Sequence, residues 1–357
     1  MNGFTKEELL QLAWAKPILA QLEITNQCNQ DCAFCYQKRT LDKPDLSLTE
    51  WQVIISKLLN LGIRRLDFTG SENFMSPYLK DLLVWCKQKK LEIRVNTNGT
   101  YDVSDCLPYI DELVFSAHGL ENIHDMVVKR PGSFKSLEKN VLRSSQAGVK
   151  TSINMTLVKS NYHQLVEVYD YFTALFPIHK FAPVIPISAP QGNEFIDQFL
   201  EITPELIDDY KCRLSLIPST QLLLKQGFHS IFIDDLTHYQ NSKFPLPNCA
   251  GGKYKLIIDS DGRVFPCNFF KSDEFYCGNM LTDDEQSVWK NGKGFVRFRN
   301  IVLEEKISKK CGACAKKLKC FSGCRAWSSN YQTGGFEYVN DQRCEMGSAF
   351  IGSRNNN

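Results

Sequence analysis

From residue 18 to about residue 215, short apolar runs alternate with longer segments of helical period, and few architectures accommodate that order. Strands are predicted at 19–25, 65–69, 92–97, 112–116, 150–157 and 180–187, with helices near 47–62, 77–89, 134–147, 162–175 and 203–215. The first helix is the clearest. Ser47 and Glu50 fit a capping box, Trp51, Ile54, Ile55, Leu58 and Leu61 mark one face, and Gly62 ends it. Repeated strand–helix units build a parallel sheet, and six strands fall short of the eight that close a barrel. The expected fold is therefore α/β, a partial (β/α)6 barrel. A doubly wound sheet gives the same local pattern, and both architectures gather functional residues at the carboxyl ends of the strands.

The texture changes in the second half. Residues 216–245 read as a bridging region, and from Cys249 short strands, turns and cysteines take over. Residues 255–259 and 263–265, joined through Ser260-Asp261-Gly262, read as a β-hairpin. The expected division is an N-terminal segment at 1–17, the barrel at 18–215, the bridge at 216–245, a small cysteine-rich α+β domain at 246–350 and a flexible tail at 351–357.

With 43% hydrophobic and 23% charged residues the chain is not disordered. Lys+Arg 42 against Asp+Glu 40 leaves +2, so no global charge points to nucleic acid or a membrane surface. No apolar run reaches the roughly 18 residues of a spanning helix. The first residues lack the basic-then-apolar order of a secretory signal, so a cytoplasmic location is expected. Against that background 14 cysteines demand an explanation, and in a reducing compartment metal binding is the better one. Three lie in residues 28–35 and seven between 249 and 344, while Cys86, Cys106, Cys212 and Cys277 are scattered. Cys86, Cys106 and Cys212 read as small buried apolar side chains.

Cys28-Asn29-Gln30-Asp31-Cys32-Ala33-Phe34-Cys35-Tyr36 places a CxxxCxxC arrangement directly after the first strand. Three thiolates on one short loop can hold three irons of a 4Fe–4S cluster and leave the fourth without a protein ligand. Zinc or unligated thiols are the alternative.

With Phe34 before the third cysteine, this segment resembles the signature of the radical S-adenosylmethionine (radical SAM) superfamily. The resemblance implies that the unique iron chelates the amino and carboxylate groups of SAM, and that an electron from the cluster cleaves the sulfonium to methionine and a 5′-deoxyadenosyl radical. That radical abstracts a substrate hydrogen. Further motifs follow in the family's order. Gly70-Ser71-Glu72 resembles the element contacting the methionine amino group, with Ser71 in place of a second glycine. Asn96 ends the third strand, and Ser116 and Asn154 match positions that reach the SAM ribose. Phe34 and Tyr36 complete the implied SAM contacts. His124-Asp125 and Pro131-Gly132-Ser133-Phe134 match the approach to the fourth helix, and Val128 stands where many relatives carry Arg, which leaves Lys129 or Arg130 for the SAM carboxylate. For His118 a structural role and a substrate contact are equal alternatives.

The second region reads Cys249, Gly262, Cys267, then Cys311-x2-Cys314-x5-Cys320-x3-Cys324, then Cys344, and resembles a SPASM domain. The resemblance implies two auxiliary 4Fe–4S clusters, one on Cys311, Cys314, Cys320 and Cys344 and the other on Cys249, Cys267 and Cys324. The second cluster's remaining position falls to Cys277 or stays open. Sulfatase-maturating relatives carry Asp where this chain has Asn268, and an amide cannot act as a carboxylate base, which argues against formylglycine formation.

The implied activity is maturation of a ribosomally made peptide by cross-linking, oxidation or backbone excision. Dehydrogenation of a small molecule is one alternative, and a non-catalytic iron–sulfur electron carrier is another. With fewer than 20 residues before the first strand, a separate leader-recognition protein is expected to assist, together with a flavodoxin- or ferredoxin-type reductant. No paired carboxylates or Ser/His/Asp set identifies a catalytic acid or base.

Overall fold

The strand–helix alternation resolves into six parallel strands in chain order. They are β1 (Leu19–Leu22), β2 (Arg65–Phe68), β3 (Glu92–Thr97), β4 (Glu112–Ser116), β5 (Lys150–Thr156) and β6 (Phe181–Val184). The structure, a computed structural model, describes residues 16–37, 44–186, 199–201, 203–223, 250–300, 324–326, 329–330 and 337–338. Between the strands run α1 (Leu48–Asn60), α2 (Leu79–Gln88), α3 (Glu121–Val128), α4 (Ser133–Gln146) and α5 (Leu165–Leu175), with α6 (Pro204–Ser215) after β6. Neighbouring strands pair in sequence order, so the sheet has no point where the order reverses, and the doubly wound alternative falls. Among the described residues the sheet does not close on itself. It is a partial barrel.

Each element has a local cause. The Ser47 N–H donates to Glu50 Oε2 at 2.7 Å and the Glu50 N–H to Ser47 Oγ at 3.4 Å, so the capping box of α1 is complete. Asp125, near the end of α3, accepts from the Phe134 N–H at 2.8 Å and so caps the start of α4. Along the strands the side chains alternate. Ala20, Leu22, Leu66, Phe68, Ile93, Val95, Leu113, Phe115, Ile153 and Met155 are all fully buried on the face that the helices cover.

The inner face is polar. Lys255 Nζ donates to Gln21 Oε1 (3.1 Å), and Gln21 Nε2 donates to Asp67 Oδ2 (3.0 Å). Arg94 lies between Asp67 (3.6 Å) and Glu112 (3.5 Å), and Ser152 Oγ donates to Glu112 Oε1 (2.7 Å). This belt crosses the barrel interior from β7 to β5.

The predicted hairpin is present as β7 (Lys255–Ile258) and β8 (Val264–Phe265), antiparallel to one another. Its place was not legible. β7 runs parallel to β1, with Leu19 opposite Lys255 and Leu22 opposite Ile258, so the sheet order becomes β6-β5-β4-β3-β2-β1-β7-β8. The cysteine-rich half thereby covers a strand edge that would otherwise expose its N–H and C=O groups. Two short helices, α7 (Glu285–Asn291) and α8 (Lys293–Asn300), follow, and β9 (Ser329–Asn330) pairs with β10 (Glu337–Tyr338).

Four local readings change. Helix α3 stands as an element of its own, and α7 and α8 occupy sequence read as turns. Residues 162–164 form a 3-10 turn ahead of α5. Cys212, expected to be buried, is exposed: Ile207, Tyr210 and Leu214 form the buried stripe of α6, and Cys212 lies off it. Cys86 and Cys106 are buried as expected, and burial pushes their thiols up to about 12 and about 11.

Candidate active site

The loop that leaves β1 carries Cys28, Cys32 and Cys35, all partly exposed. Its backbone is tied to the end of α3, with the Asp31 N–H donating to the Val128 carbonyl (3.2 Å) and the Ala33 N–H to that of Val127 (3.1 Å). Lys129 pairs with Asp31 at 3.3 Å and Arg130 Nη1 donates to the Asn29 carbonyl at 2.9 Å. Both cations expected near the SAM carboxylate thus also hold the cysteine loop. Asn29 donates to Thr100 Oγ1 and accepts from Asn98 Nδ2, each at 2.8 Å, which fastens the loop to the turn after β3. These ties come from two segments, 127–130 and 98–100. They hold the thiols in place while leaving them accessible.

A histidine pair backs this loop. Phe34 meets the His118 ring edge-on at a centroid distance of 4.6 Å. His118 Nδ1 accepts from the Thr156 N–H (3.0 Å), and the His118 N–H donates to His124 Nδ1 (3.1 Å). His124 Nε2 lies 3.3 Å from Ser133 Oγ, which also accepts from Gln30 Nε2 at 2.6 Å. Burial drives both imidazoles toward the neutral form, holding His118 well below its usual range and His124 down to about 4. Of the two roles open to His118, the structure gives it the structural one.

Gly70, Ser71 and Glu72 follow β2. Gly70 has φ +98°, and a Cβ there would lie 2.8 Å from Glu23 Cγ, so only glycine fits. Glu72 is buried, and its carboxylate accepts from the Asn98 N–H (2.7 Å), Thr97 Oγ1 (2.9 Å) and the Phe74 N–H (3.1 Å). Even so, burial raises it to about 7. Asn96 Nδ2 is likewise engaged, donating to Asp67 Oδ1 (2.8 Å) and the Phe68 carbonyl (2.9 Å). Ser71 is half-buried. Ser116 and Asn154, from β4 and β5, stand opposite one another in register at the carboxyl edge, both half-exposed.

The cysteine-rich half reaches this mouth. Cys267 is half-exposed, and the next residue, Asn268, donates through Nδ2 to Tyr36 Oη at 2.9 Å. Burial, then the neighbouring Glu23 charge, pushes the Tyr36 phenol above its usual range. Lys271 Nζ joins Glu23 of β1's exit to Asp259 (2.9 Å) and reaches Gln37 Oε1 (3.4 Å). Sequence reasoning missed this triad, because Glu23 is more than 200 residues from Asp259 and Lys271 and none of the three belongs to a motif. Cys324 is also half-exposed. Cys249, Cys311, Cys314, Cys320 and Cys344 lie outside the described residues. Cys277 is buried, with its thiol 3.4 Å from the Phe275 carbonyl and pushed up to about 12 by burial, so it packs as a core side chain.

The donor set suits a cluster. Among the described residues no three His, Cys, Asp or Glu side chains converge as ligands of one metal ion, the arrangement zinc requires. A 4Fe–4S cluster takes one thiolate on each of separate irons, so Cys28, Cys32 and Cys35 need only share a face of the loop.

Residues 22–172 match the model of the radical SAM superfamily, and residues 249–316 match that of an iron–sulfur cluster-binding domain, SPASM. The sporulation killing factor maturation protein SkfB of Bacillus subtilis is 25% identical over 76% of this chain, and the match spans 64% of SkfB, less than two thirds of its length. The AdoMet-dependent heme synthase of Nitratidesulfovibrio vulgaris is 22% identical over 86% of this chain and 87% of its own. Among solved structures, Streptococcus suis SuiB bound to precursor peptide SuiA superposes with a TM-score of 0.71 at 17% identity, covering 92% of this chain and 76% of SuiB. That likeness concerns the fold. Among the described residues no helix is long and apolar enough to cross a membrane.

Proposed function

The chain belongs to the radical SAM superfamily and carries a SPASM domain, and on that premise we propose that it is a SAM-dependent maturase of a ribosomally synthesised peptide. The observation that carries the enzymatic part is the Cys28–Cys35 loop. It lies at the carboxyl end of β1, is tied by backbone and side-chain bonds to the end of α3 and the turn after β3, and leaves three thiols partly exposed. The peptide part is supported by the similarity to SkfB, a maturation protein.

In this reading Cys28, Cys32 and Cys35 hold a 4Fe–4S cluster, and the cluster with SAM supplies reductive sulfonium cleavage and hydrogen abstraction. Gly70 and Ser71 offer backbone to the methionine end of SAM. Ser116 and Asn154, side by side in register, offer hydroxyl and amide to the ribose. Glu72 and Asn96 act indirectly: they fix the loops after β2 and β3 from beneath. Cys267, Cys324 and the five SPASM cysteines outside the described residues hold auxiliary clusters, and Cys267 rides on a loop that touches Tyr36, next to Cys35. A separate leader-recognition protein, a small iron–sulfur or flavin reductant and a cytoplasmic location complete the proposal.

Anaerobic reconstitution with iron and sulfide counting, followed by dithionite and SAM, tests it. About twelve irons and release of 5′-deoxyadenosine are expected. Zinc in the C-terminal half would reject the SPASM reading, and no deoxyadenosine from an intact first cluster would reject the catalytic one and leave an electron carrier. Mass shifts in short precursor peptides encoded beside the gene then test the substrate class. The similarity to a heme synthase favours a second reading, chemistry on a small molecule. Deoxyadenosine formation with no peptide modified would turn the assignment that way.

A further inference from the structure

We propose that Glu23 is the counter-ion for the methionine ammonium of SAM. The proposal rests on SAM binding as read above and adds a residue that no motif marks. Glu72, the acid of the Gly70-Ser71-Glu72 element, has its two oxygens engaged by Asn98, Thr97 and Phe74, so it has little left for a ligand. Glu23 lies directly against the same element, and a side chain at Gly70 would strike its Cγ at 2.8 Å. The residue is 2% exposed. One carboxylate oxygen receives Lys271, and the other, Oε1, is buried without a hydrogen-bond partner. It is the sole carboxylate oxygen among the described residues in that condition. A buried carboxylate oxygen left unpaired costs on the order of several kcal/mol, which a bound donor removes.

Glu23 shares Lys271 with Asp259, which Arg263 also reaches at 3.5 Å. Burial first, and then the neighbouring Asp259, raise Glu23 to about 7 despite Lys271. Lys271 is the positioning residue. It holds Oε2, and Oε1 is the oxygen left without a donor.

The test is equilibrium binding to reconstituted, oxidised protein. SAM is compared with 5′-methylthioadenosine, which keeps the nucleoside and lacks the amino acid. Glu23→Gln preserves shape and removes the charge, and Glu23→Asp preserves the charge and withdraws it. Expected is a loss of SAM affinity of about tenfold or more in Glu23→Gln and a smaller loss in Glu23→Asp, with methylthioadenosine affinity and first-cluster iron unchanged in both. Unaltered SAM affinity in Glu23→Gln overturns the proposal. An equal loss for both ligands, or loss of iron, overturns it too, by assigning Glu23 to the framework. Failure of the unsubstituted protein to bind SAM would instead be failure of the underlying reading.

Discussion

Glu72 accepts three hydrogen bonds from residues on the loops after β2 and β3, and two of the donors are backbone N–H groups. Glu72→Ala would leave those donors without an acceptor in a buried site, at a cost of about 2–4 kcal/mol, readable as a lower urea midpoint of the metal-free chain. A loss below about 0.5 kcal/mol would mean the loops hold themselves. His124 makes a pH prediction. Its imidazole titrates near 4 in the folded chain and near 6.5 when free. Between those values the unfolded chain binds the extra proton, so His124 contributes stability that is complete above 6.5 and lost as pH falls toward 4. At about 1.4 kcal/mol per unit the contribution is about 3 kcal/mol. Glu23 and Glu72, with raised values, work in the opposite sense, so the comparison must be between variants. Melting temperatures at pH 7 and pH 5 should fall less in His124→Asn than in the parent; parallel slopes would discharge His124 from the role.

Among the elements, α1 and α3 show when a helix can be read from its residues. Helix α1 announces itself through Ser47, Glu50 and four buried apolar residues at helical spacing. Ser47→Ala should destabilise by about 1 kcal/mol, seen as a shifted denaturation midpoint with an unchanged slope. Helix α3 has only eight residues, an N-cap at Leu120 with no side-chain bond, and ends at Lys129 in the left-handed conformation that usually calls for glycine. Tertiary contacts stabilise it, through the cysteine loop that binds its last carbonyls. The same distinction holds for strands. Alternation and apolar runs identified β7 as a strand, but its pairing with β1 depends on backbone groups that any sequence possesses.

At the scale of the whole molecule, Lys271 is a charged link between the two halves of the sequence, joining Glu23 to Asp259 in a setting where all three side chains are at most 14% exposed. Lys271→Met would leave Glu23 without its cation and Asp259 with Arg263 alone. A loss of about 3–5 kcal/mol is expected by chemical denaturation, together with partial recovery in the double variant Glu23→Gln/Lys271→Met. No recovery would show that Glu23 and Lys271 do not act as a pair.

What the residues determined without help is the short-range part. The alternation dictated six parallel strands, and CxxxCxxC after the first strand defined the cluster loop, because period and spacing are properties of neighbours along the chain. Tertiary structure alone decided the rest. It set β7 against β1, consumed Glu72 and Asn96 in holding loops, buried His118 and His124, and assembled Glu23, Asp259 and Lys271 from positions as much as 248 residues apart. Electrostatic and hydrogen-bonding roles depend on which groups meet after folding, and separation in sequence carries no record of that meeting.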